Sequence, residues 1–298
     1  MKCLFVYNPN SGRGKVVKKR DFIVDKLKTQ YEAVDVIEAN HPGHAKELAE
    51  YSCGKYDTLV VAGGDGTLNE VINGLAEREN APKIGYIPAG TTNDVAHSLK
   101  IPRGNIKKAI DVILKQKSFS HDIFKVNNKY GLYVCSTGLF CEASYSLSHQ
   151  TKKNYGKIAY YIYGAARVFK AEPIYVKLKY DGKSLEGYYS LFLVANSRCV
   201  GGIKFNKHAE LNDGYVDVFL VKSPKKRGLS LKSLFSVLGL FIFGFNKNRK
   251  QKMITYLKLK EFEVNISSKA KFTLDGEKAL RGSFKFKAIE KGVEIFVP

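Results

Sequence analysis

The apolar positions of this chain change their period near residue 120. Before that point, short apolar runs alternate with stretches of helical spacing. "CLFVY" (3–7), "AVDVI" (33–37), "TLVVA" (58–62) and "KIGYIPAG" (83–90) read as strands, the last running into a turn. Between them, "DFIVDKLKTQY" (21–31) sets Phe22, Ile23, Leu27 and Tyr31 near helical spacing, and "GHAKELAEY" reads as another helix. Leu68, Val71, Ile72 and Leu75 fall at i, i+3, i+4 and i+7, which predicts an amphipathic helix directly after the third strand. Ile106, Ala109, Ile110, Ile113 and Leu114 mark a helix that closes the unit. Elements alternating at this length imply a parallel sheet with helices on both faces.

Beyond residue 120 a period of two takes over. In "IYVKLKYDGKSLEGYYSLFLVAN" (174–196) two alternating runs flank Asp181-Gly182, a hairpin signal. "GYVDVFLVK", "MITYLKLKEFEVNIS", "AKFTLDG" and "GSFKFKAI" alternate in the same way. Two helix candidates interrupt them, "TKKNYGKIAYYIYGAARVF" (151–169) and "SLKSLFSVLGLFIFGF" (230–245). The predicted fold class is therefore α/β plus all-β. A Rossmann-like parallel α/β domain spans residues 1–121, and an antiparallel β-sandwich or barrel domain spans 122–298. The junction is expected near 118–124, and the last strand, near 290–298, is expected to return to the first domain.

Composition narrows the class. With 298 residues, 44% hydrophobic and 26% charged, the chain can bury a real core. No apolar run reaches the roughly 18 residues of a membrane span. The apolar start stops at Asn8-Pro9, with no cleavage site for a signal peptide. Five cysteines without a CxxC pair predict reduced thiols in a cytoplasm. The six histidines show no HExxH or comparable ligand spacing. The net charge of +21 is uneven: residues 1–120 carry 18 Lys+Arg against 14 Asp+Glu, and the remainder 31 against 14. Such a basic second half attracts nucleic acid, anionic lipid or nucleotide, or it is simply a solvated surface.

Glycine marks the candidate chemistry. "GGDGT" (63–67) stands where the third strand hands over to a helix, "NPNSGRG" (8–14) follows the first strand, and "IPAGTTNDVA" (87–96) ends the fourth. Glycine at such a junction lets a ligand approach the backbone, and the free amides of the next helix suit phosphate oxygens. All three turns are expected at the carboxyl edge of the sheet, where open α/β sheets bind ligands. Neither GxxxxGK[ST] nor a GxGxxG with a following ribose-binding acid is present, so this is a phosphate cradle of another design.

These residues resemble the diacylglycerol kinase catalytic family, which includes soluble bacterial diacylglycerol kinases, sphingosine kinases and ceramide kinases. The likeness rests on "NPNSG", "GGDGTLNEVINGL" and "PAGTTND". It continues through "YSLSHQTKKNYGKIAYYIYG", "VANSRCVGGIKFNKHAELNDGYVDVFLV" and "FTLDGE", so it covers essentially the whole chain. "STGLFCEAS" lacks the Asp that many members carry near residue 138, which weakens a sphingolipid assignment.

The resemblance implies transfer of the γ-phosphoryl of ATP to a lipid hydroxyl. ATP would meet Asn8, Pro9, Asn10, Ser11 and Gly12; Gly63, Gly64, Asp65, Gly66, Thr67, Leu68 and Asn69; and Thr91, with Asn40 the nearest candidate after the second strand. Glu277 would be the general base. Asp65 and Asp94 would lie near the phosphates, where carboxylates need an intervening cation, hence Mg²⁺. A second Mg²⁺ is implied at Asp213 with the carbonyls of Glu210 and Tyr215, although Asn212-Asp213-Gly214 also reads as a plain turn.

The leading reading is an Mg²⁺-dependent diacylglycerol kinase making phosphatidic acid, with ATP and a lipid as substrates. It would be cytoplasmic and peripherally attached to the inner face of an anionic membrane, with a homodimer possible by resemblance. Other acceptors (a sphingoid base, phosphatidylglycerol, undecaprenol) share the donor motifs. A NAD-kinase-like enzyme, a non-catalytic nucleotide- or lipid-binding protein and a basic nucleic-acid binder are the remaining rivals. The last lacks an RNP or helix-turn-helix signature, so no nucleic-acid partner is expected. Segment 230–245 is either an interfacial helix or a core helix.

Overall fold

The computed structural model describes residues 1–139, 172–228, 230–246, 251–266, 270, 272–278 and 282–298, with the side chains of Arg13, Glu277 and Lys278 outside that description. The helix expected over 151–169, the family-like stretch around it and most of "STGLFCEAS" lie outside the described residues.

Strands β1 (Lys2–Tyr7), β2 (Ala33–Glu38), β3 (Thr58–Gly63) and β4 (Lys83–Pro88) pair in parallel in the order β2-β1-β3-β4. The apolar runs of β1, β3 and β4 are buried on both sides, as a parallel sheet covered on two faces requires, whereas the edge strand β2 is half-exposed. Helices α1 (Lys15–Lys18), α2 (Arg20–Leu27), α3 (His44–Ser52), α4 (Asp65–Leu75), α5 (Asp94–Ser98) and α6 (Ile106–Leu114) connect them. Ile23, Leu27, Ile110 and Ile113 pack on one face with Phe5 and Val60. Leu48, Leu68, Val71, Ile72 and Leu75 pack on the other with Leu4, Val6, Leu59 and Val61. Helix α4 lies close on α3: a Cβ on Gly74 would stand 2.4 Å from the Lys46 carbonyl oxygen, so only glycine fits there.

The stretch 118–124 is not a loop. It belongs to β5 (Ser118–Val126), which pairs antiparallel with the long β17 (Ser283–Phe296) from Ser118↔Phe296 to Val126↔Phe286. Near its end β17 also meets β4 in parallel, at Ile295↔Ile84. One strand thus belongs to both sheets.

The second half is antiparallel. It comprises β6 (Lys129–Gly131), β7 (Val134–Gly138), β8 (Ile174–Tyr180), β9 (Lys183–Ala195), the small pair β10 (Cys199–Val200) and β11 (Ile203–Lys204), β12 (Val216–Lys222), β13 (Ile254–Leu259), β14 (Glu261–Ile266), β15 (Thr273–Leu274) and β16 (Glu277–Lys278). The hairpin at Asp181-Gly182 closes β8 on β9, with Tyr180 opposite Lys183 and both turn residues at positive φ. Strand β9 pairs with β8 at its start and with β7 and β12 toward its end, so it joins two layers. Phe124, Val176, Leu178, Phe192, Val194, Val218, Leu220, Val264, Phe272, Phe284 and Phe286 fill the space between them. The run "MITYLKLKEFEVNIS" forms two strands, and its alternation changes phase at the exposed pair Lys260-Glu261. β13 pairs with β12, and β14 pairs with β8 and β17.

One further helix, α7 (Leu231–Phe243), rests on β9 and β12 through Ser233, Val237 and Leu240. Among the described residues, no helix is long and apolar enough to cross a membrane.

Candidate active site

The three glycine turns meet at the carboxyl edge of the parallel sheet. Asn8 donates its backbone N–H to the Ala62 carbonyl at 3.0 Å and its side-chain amide to Thr67 Oγ1 at 3.3 Å. Ala89 N–H reaches the Gly63 carbonyl at 2.8 Å. The turns touch where side chains are missing: a Cβ on Gly90 would stand 2.6 Å from Gly64 Cα, and one on Gly12 would stand 2.9 Å from the Ala89 carbonyl oxygen. Helix α4 begins on Gly64, which caps it without a side chain. Its first amides are therefore not covered by a capping group, the arrangement that receives anions. Asn93, in the left-handed region, closes the third turn by bonding both the N–H and the C=O of Gly90, at 2.9 and 2.8 Å.

The second half of the chain closes on this edge. β15 and β16 are joined by the turn Asp275-Gly276, both at positive φ, with Leu274 opposite Glu277. The buried Asp275 carboxylate accepts from the backbone amides of Leu132, Tyr133 and Val134 at 2.6, 3.0 and 2.9 Å. It also accepts from Asn69 of α4 at 2.6 Å. Consecutive Cα atoms lie 3.8 Å apart, so the Glu277 Cα is within about 7.6 Å of the Asp275 Cα. The base candidate is thereby kept beside α4.

Asp94 is nearly fully buried, and its two oxygens accept from the backbone amides of Gly201 and Gly202 at 2.8 and 2.7 Å. Those glycines form the turn between β10 and β11 with φ of 62° and 81°. Nearby, Ser98 and Ser197 hydroxyls lie 2.7 Å apart, and the Arg198 guanidinium donates to the Ser98 carbonyl at 3.3 Å.

Charge is concentrated where the halves meet. Burial pushes the Asp65 carboxyl up to about 6, and repulsion from Asp94 and Asp275 adds to it. Burial likewise raises Asp275 to about 6, against the pull of its amide donors. Asp94 is raised by burial and restrained by Gly202 and Gly201. The hydroxyls of Tyr86 and Tyr133 are driven far up by burial and by these same acids. Asp94 and Asp275 already have full sets of donors. Asp65 accepts from the backbone amides of Asp94 and Val95, the latter at a long 3.5 Å, so it is the carboxylate with the most lone pairs left for a cation. The donor set fits a hard divalent ion shared with phosphate oxygens.

Residues 2–126 match the model of the diacylglycerol kinase catalytic domain, and 134–296 match that of the YegS C-terminal NAD kinase beta sandwich-like domain. A diacylglycerol kinase from Bacillus subtilis (strain 168) is 34% identical over 93% of this chain and 89% of its own length. One from Staphylococcus aureus (strain bovine RF122 / ET3-1) is 31% identical over 100% of this chain and 92% of its own. The crystal structure of a diacylglycerol kinase from Bacillus anthracis str. Sterne superposes with a TM-score of 0.83 at 26% identity, covering 100% of this chain and 97% of that one.

The chain belongs to the diacylglycerol kinase catalytic family. With that membership it is a kinase.

Within the family frame, the residues singled out from the sequence fall into three groups. Asn8, Pro9, Asn10, Ser11, Gly12, Gly63, Gly64, Asp65, Gly66, Thr67 and Thr91 are all on the three turns. The Leu68 side chain is fully buried in the core, so only its backbone can face the site. Asn40 is exposed on the loop between β2 and α3. In the second group, the polar atoms of Asn69 and Asp94 are engaged with the far half of the chain, which makes them positioning residues between the lobes.

The third group holds the positions expected for a second metal. The Lys258 ammonium pairs with the Asp213 carboxylate and stands 2.9 Å from Glu210 Oε2. The other Asp213 oxygen accepts from Tyr215 N–H at 3.0 Å. A lysine ammonium thus stands beside the carboxylate for which the resemblance implies Mg²⁺. Sequence reasoning also missed Asp122. Fully buried, it accepts from Gly214 and Lys291 amides at 2.7 Å each, pinning the 210–215 turn to β17. A lone Asp between His121 and Ile123 in an apolar strand was the available signal.

Proposed function

We propose that this kinase transfers the γ-phosphoryl group of ATP to the hydroxyl of diacylglycerol, giving phosphatidic acid, with Mg²⁺ required. The observation that carries the reading is the meeting of the uncovered start of α4 with the 275–277 turn. The first offers amides to a polyphosphate. The second brings Glu277 of the other lobe to the same edge, where it would accept the proton of an attacking alcohol. The relatives named diacylglycerol kinase support the choice of acceptor.

In this mechanism the backbone of Gly12, Gly64, Asp65 and Gly66 holds the phosphates in line with the acceptor. Asp65 would hold Mg²⁺, through water or directly, beside the terminal phosphates. The ion, when bound, neutralises phosphate charge as the transfer proceeds. Asp275 and Asn69 hold the turn that carries Glu277. Asp94 keeps the β10–β11 turn closed over the cleft.

The lipid is reached from a membrane surface at the cytoplasmic face. Helix α7 supports this placement, because it has two faces. Ser233, Val237 and Leu240 are buried, while Leu231, Phe235, Ile242 and Phe243 are 61, 68, 68 and 79% exposed. At 100° per residue, 231, 235 and 242 fall within about 40° of one another. The exposed Lys225, Lys226, Arg227 and Lys232 border this face. A basic fringe around aromatic and aliphatic side chains is what an interfacial helix presents, and each cation near an anionic surface contributes about 1 kcal/mol.

The test is transfer from radiolabelled ATP by the purified protein, with a panel of lipids in mixed micelles. Diacylglycerol should be the preferred acceptor, with product formation abolished by EDTA. Faster turnover on a sphingoid base, phosphatidylglycerol or undecaprenol would overturn the choice of acceptor, and no transfer to any lipid would overturn the reading.

A further inference from the structure

Three potential metal ligands outside the cleft converge on one spot. His41 and His44 lie on the loop and first residue entering α3, and Glu47 follows one turn later. One ligand atom from each lies within 4.8 Å of the other two. The two imidazole rings stack with centroids 4.5 Å apart and planes 8° from parallel. His41 Nδ1 stands 3.1 Å from the Pro42 carbonyl oxygen. A backbone carbonyl at that distance takes the Nδ1 proton and leaves the Nε2 lone pair outward, the orienting contact found behind metal-bound histidines.

We propose that His41, His44 and Glu47 form a surface site for one divalent transition-metal ion of the zinc class. Two imidazole nitrogens and one carboxylate oxygen are a donor set that Zn²⁺ accepts with a further position open to water. Bonds of about 2.0–2.2 Å bring ligand atoms to roughly 3.3 Å of one another, so the cluster closes by small side-chain rotations of partly exposed groups. His44 Nδ1 accepts a 3.3 Å contact from Asn40 N–H, and ligation exchanges that long bond for a coordinate one. The start of α3 repels cations, and the Glu47 carboxylate in its first turn offsets that charge.

The donor set prefers zinc-class ions to Mg²⁺, which takes oxygen ligands and gives up its waters reluctantly. It is therefore distinct from any ion held at Asp65. The H-x-x-H-x-x-E spacing is not a one-face helical motif. The first histidine lies on the loop after β2, which is why the spacing alone did not reveal the cluster. That loop is tied to α4 by Gly43 N–H, which donates to Glu70 Oε1 at 2.9 Å, so occupancy stiffens the rim of the nucleotide edge.

The experiment is equilibrium dialysis of the untagged full chain with Zn²⁺, without ATP or lipid, alongside Co²⁺ absorption spectra. One equivalent should bind, with d–d bands and no sulfur-to-metal charge transfer, which separates this site from the partly exposed Cys53. His41→Ala and His44→Ala should each weaken binding at least ~10-fold, with melting temperatures in EDTA within a degree or so of the parent. Absence of Zn²⁺ binding, a thiolate spectrum, or affinity unchanged in both variants would overturn the proposal.

Discussion

Asp65 carries the sharpest conflict in the molecule, because a carboxylate that binds a cation well is costly when the cation is absent. Its pKa and that of Asp275 are raised to about 6 by burial. Folding therefore takes up protons between about pH 4 and 6. Their contribution to stability is greatest below pH 4 and declines as pH rises through about 6. At pH 7.5 Asp65→Asn should melt higher than the parent by a few degrees. The same variant should lose at least ~100-fold in turnover, since the charge that holds the cation is gone. A calorimetric scan with and without ATP and Mg²⁺ checks both halves; a lower melting temperature with normal turnover would remove Asp65 from the site. Activity in the parent should decline as pH falls below about 6, and Asp65→Asn should flatten that limb. Glu277→Gln should cut turnover at least ~100-fold with little change in nucleotide affinity.

At this scale the sequence was most informative where residue type and backbone need coincide. Gly12, Gly64 and Gly90 stood out because only glycine permits such close approach. Asn69, Asp94 and Asp122 were less legible. Their roles depend on partners 206, 107 and 92 positions away, and no local pattern encodes such a contact.

At the scale of elements, the latch between α5 and the β10–β11 turn has a defined signature. Asp94→Ala would remove the charged acceptor of the Gly201 and Gly202 amides on an exposed turn, costing about 1–3 kcal/mol. Hydrogen exchange at those two amides should accelerate well before global unfolding; unchanged protection would mean that another group holds the turn. The four parallel strands and helices α2, α3, α4 and α6 were legible because each apolar period matches one element, while α1 and α5 span only about one turn each. The antiparallel half was harder to divide. Apolar positions fall on Leu257 and Leu259 but then on Phe262, Val264 and Ile266, a change of phase at Lys260-Glu261 that marks the boundary without saying which partners β13 and β14 take. The junction was read near 118–124 from the change of period there, and the stretch is part of β5, which pairs with β17. Helix α7 shows why neither alternative for 230–245 suffices, since one face is core and the other is exposed. Replacing Phe235 and Phe243 with Asp should reduce sedimentation with anionic vesicles at least ~10-fold while sparing turnover on a dispersed short-chain lipid. Equal loss on both substrates would instead indicate damage to the fold.

Across the whole molecule, strand β17 and the excess of positive charge in the second half act together. β17 makes the two sheets continuous, so the glycine turns and the 275–277 turn keep their spacing. In the proposed reading the basic lobe with α7 would turn that cleft toward an anionic surface, and raising the salt concentration should weaken vesicle binding by the charge term alone. The central claim is that amides at three strand ends hold a triphosphate while an acid from the far lobe receives the alcohol proton. A crystal structure with a non-hydrolysable ATP analogue and Mg²⁺ tests it most directly. The account requires the phosphates on the turns at 8–12, 63–67 and 89–91, the metal at Asp65, and the terminal phosphorus beside Glu277. A nucleotide bound elsewhere, or a Glu277 carboxylate turned away from that phosphorus, would contradict it.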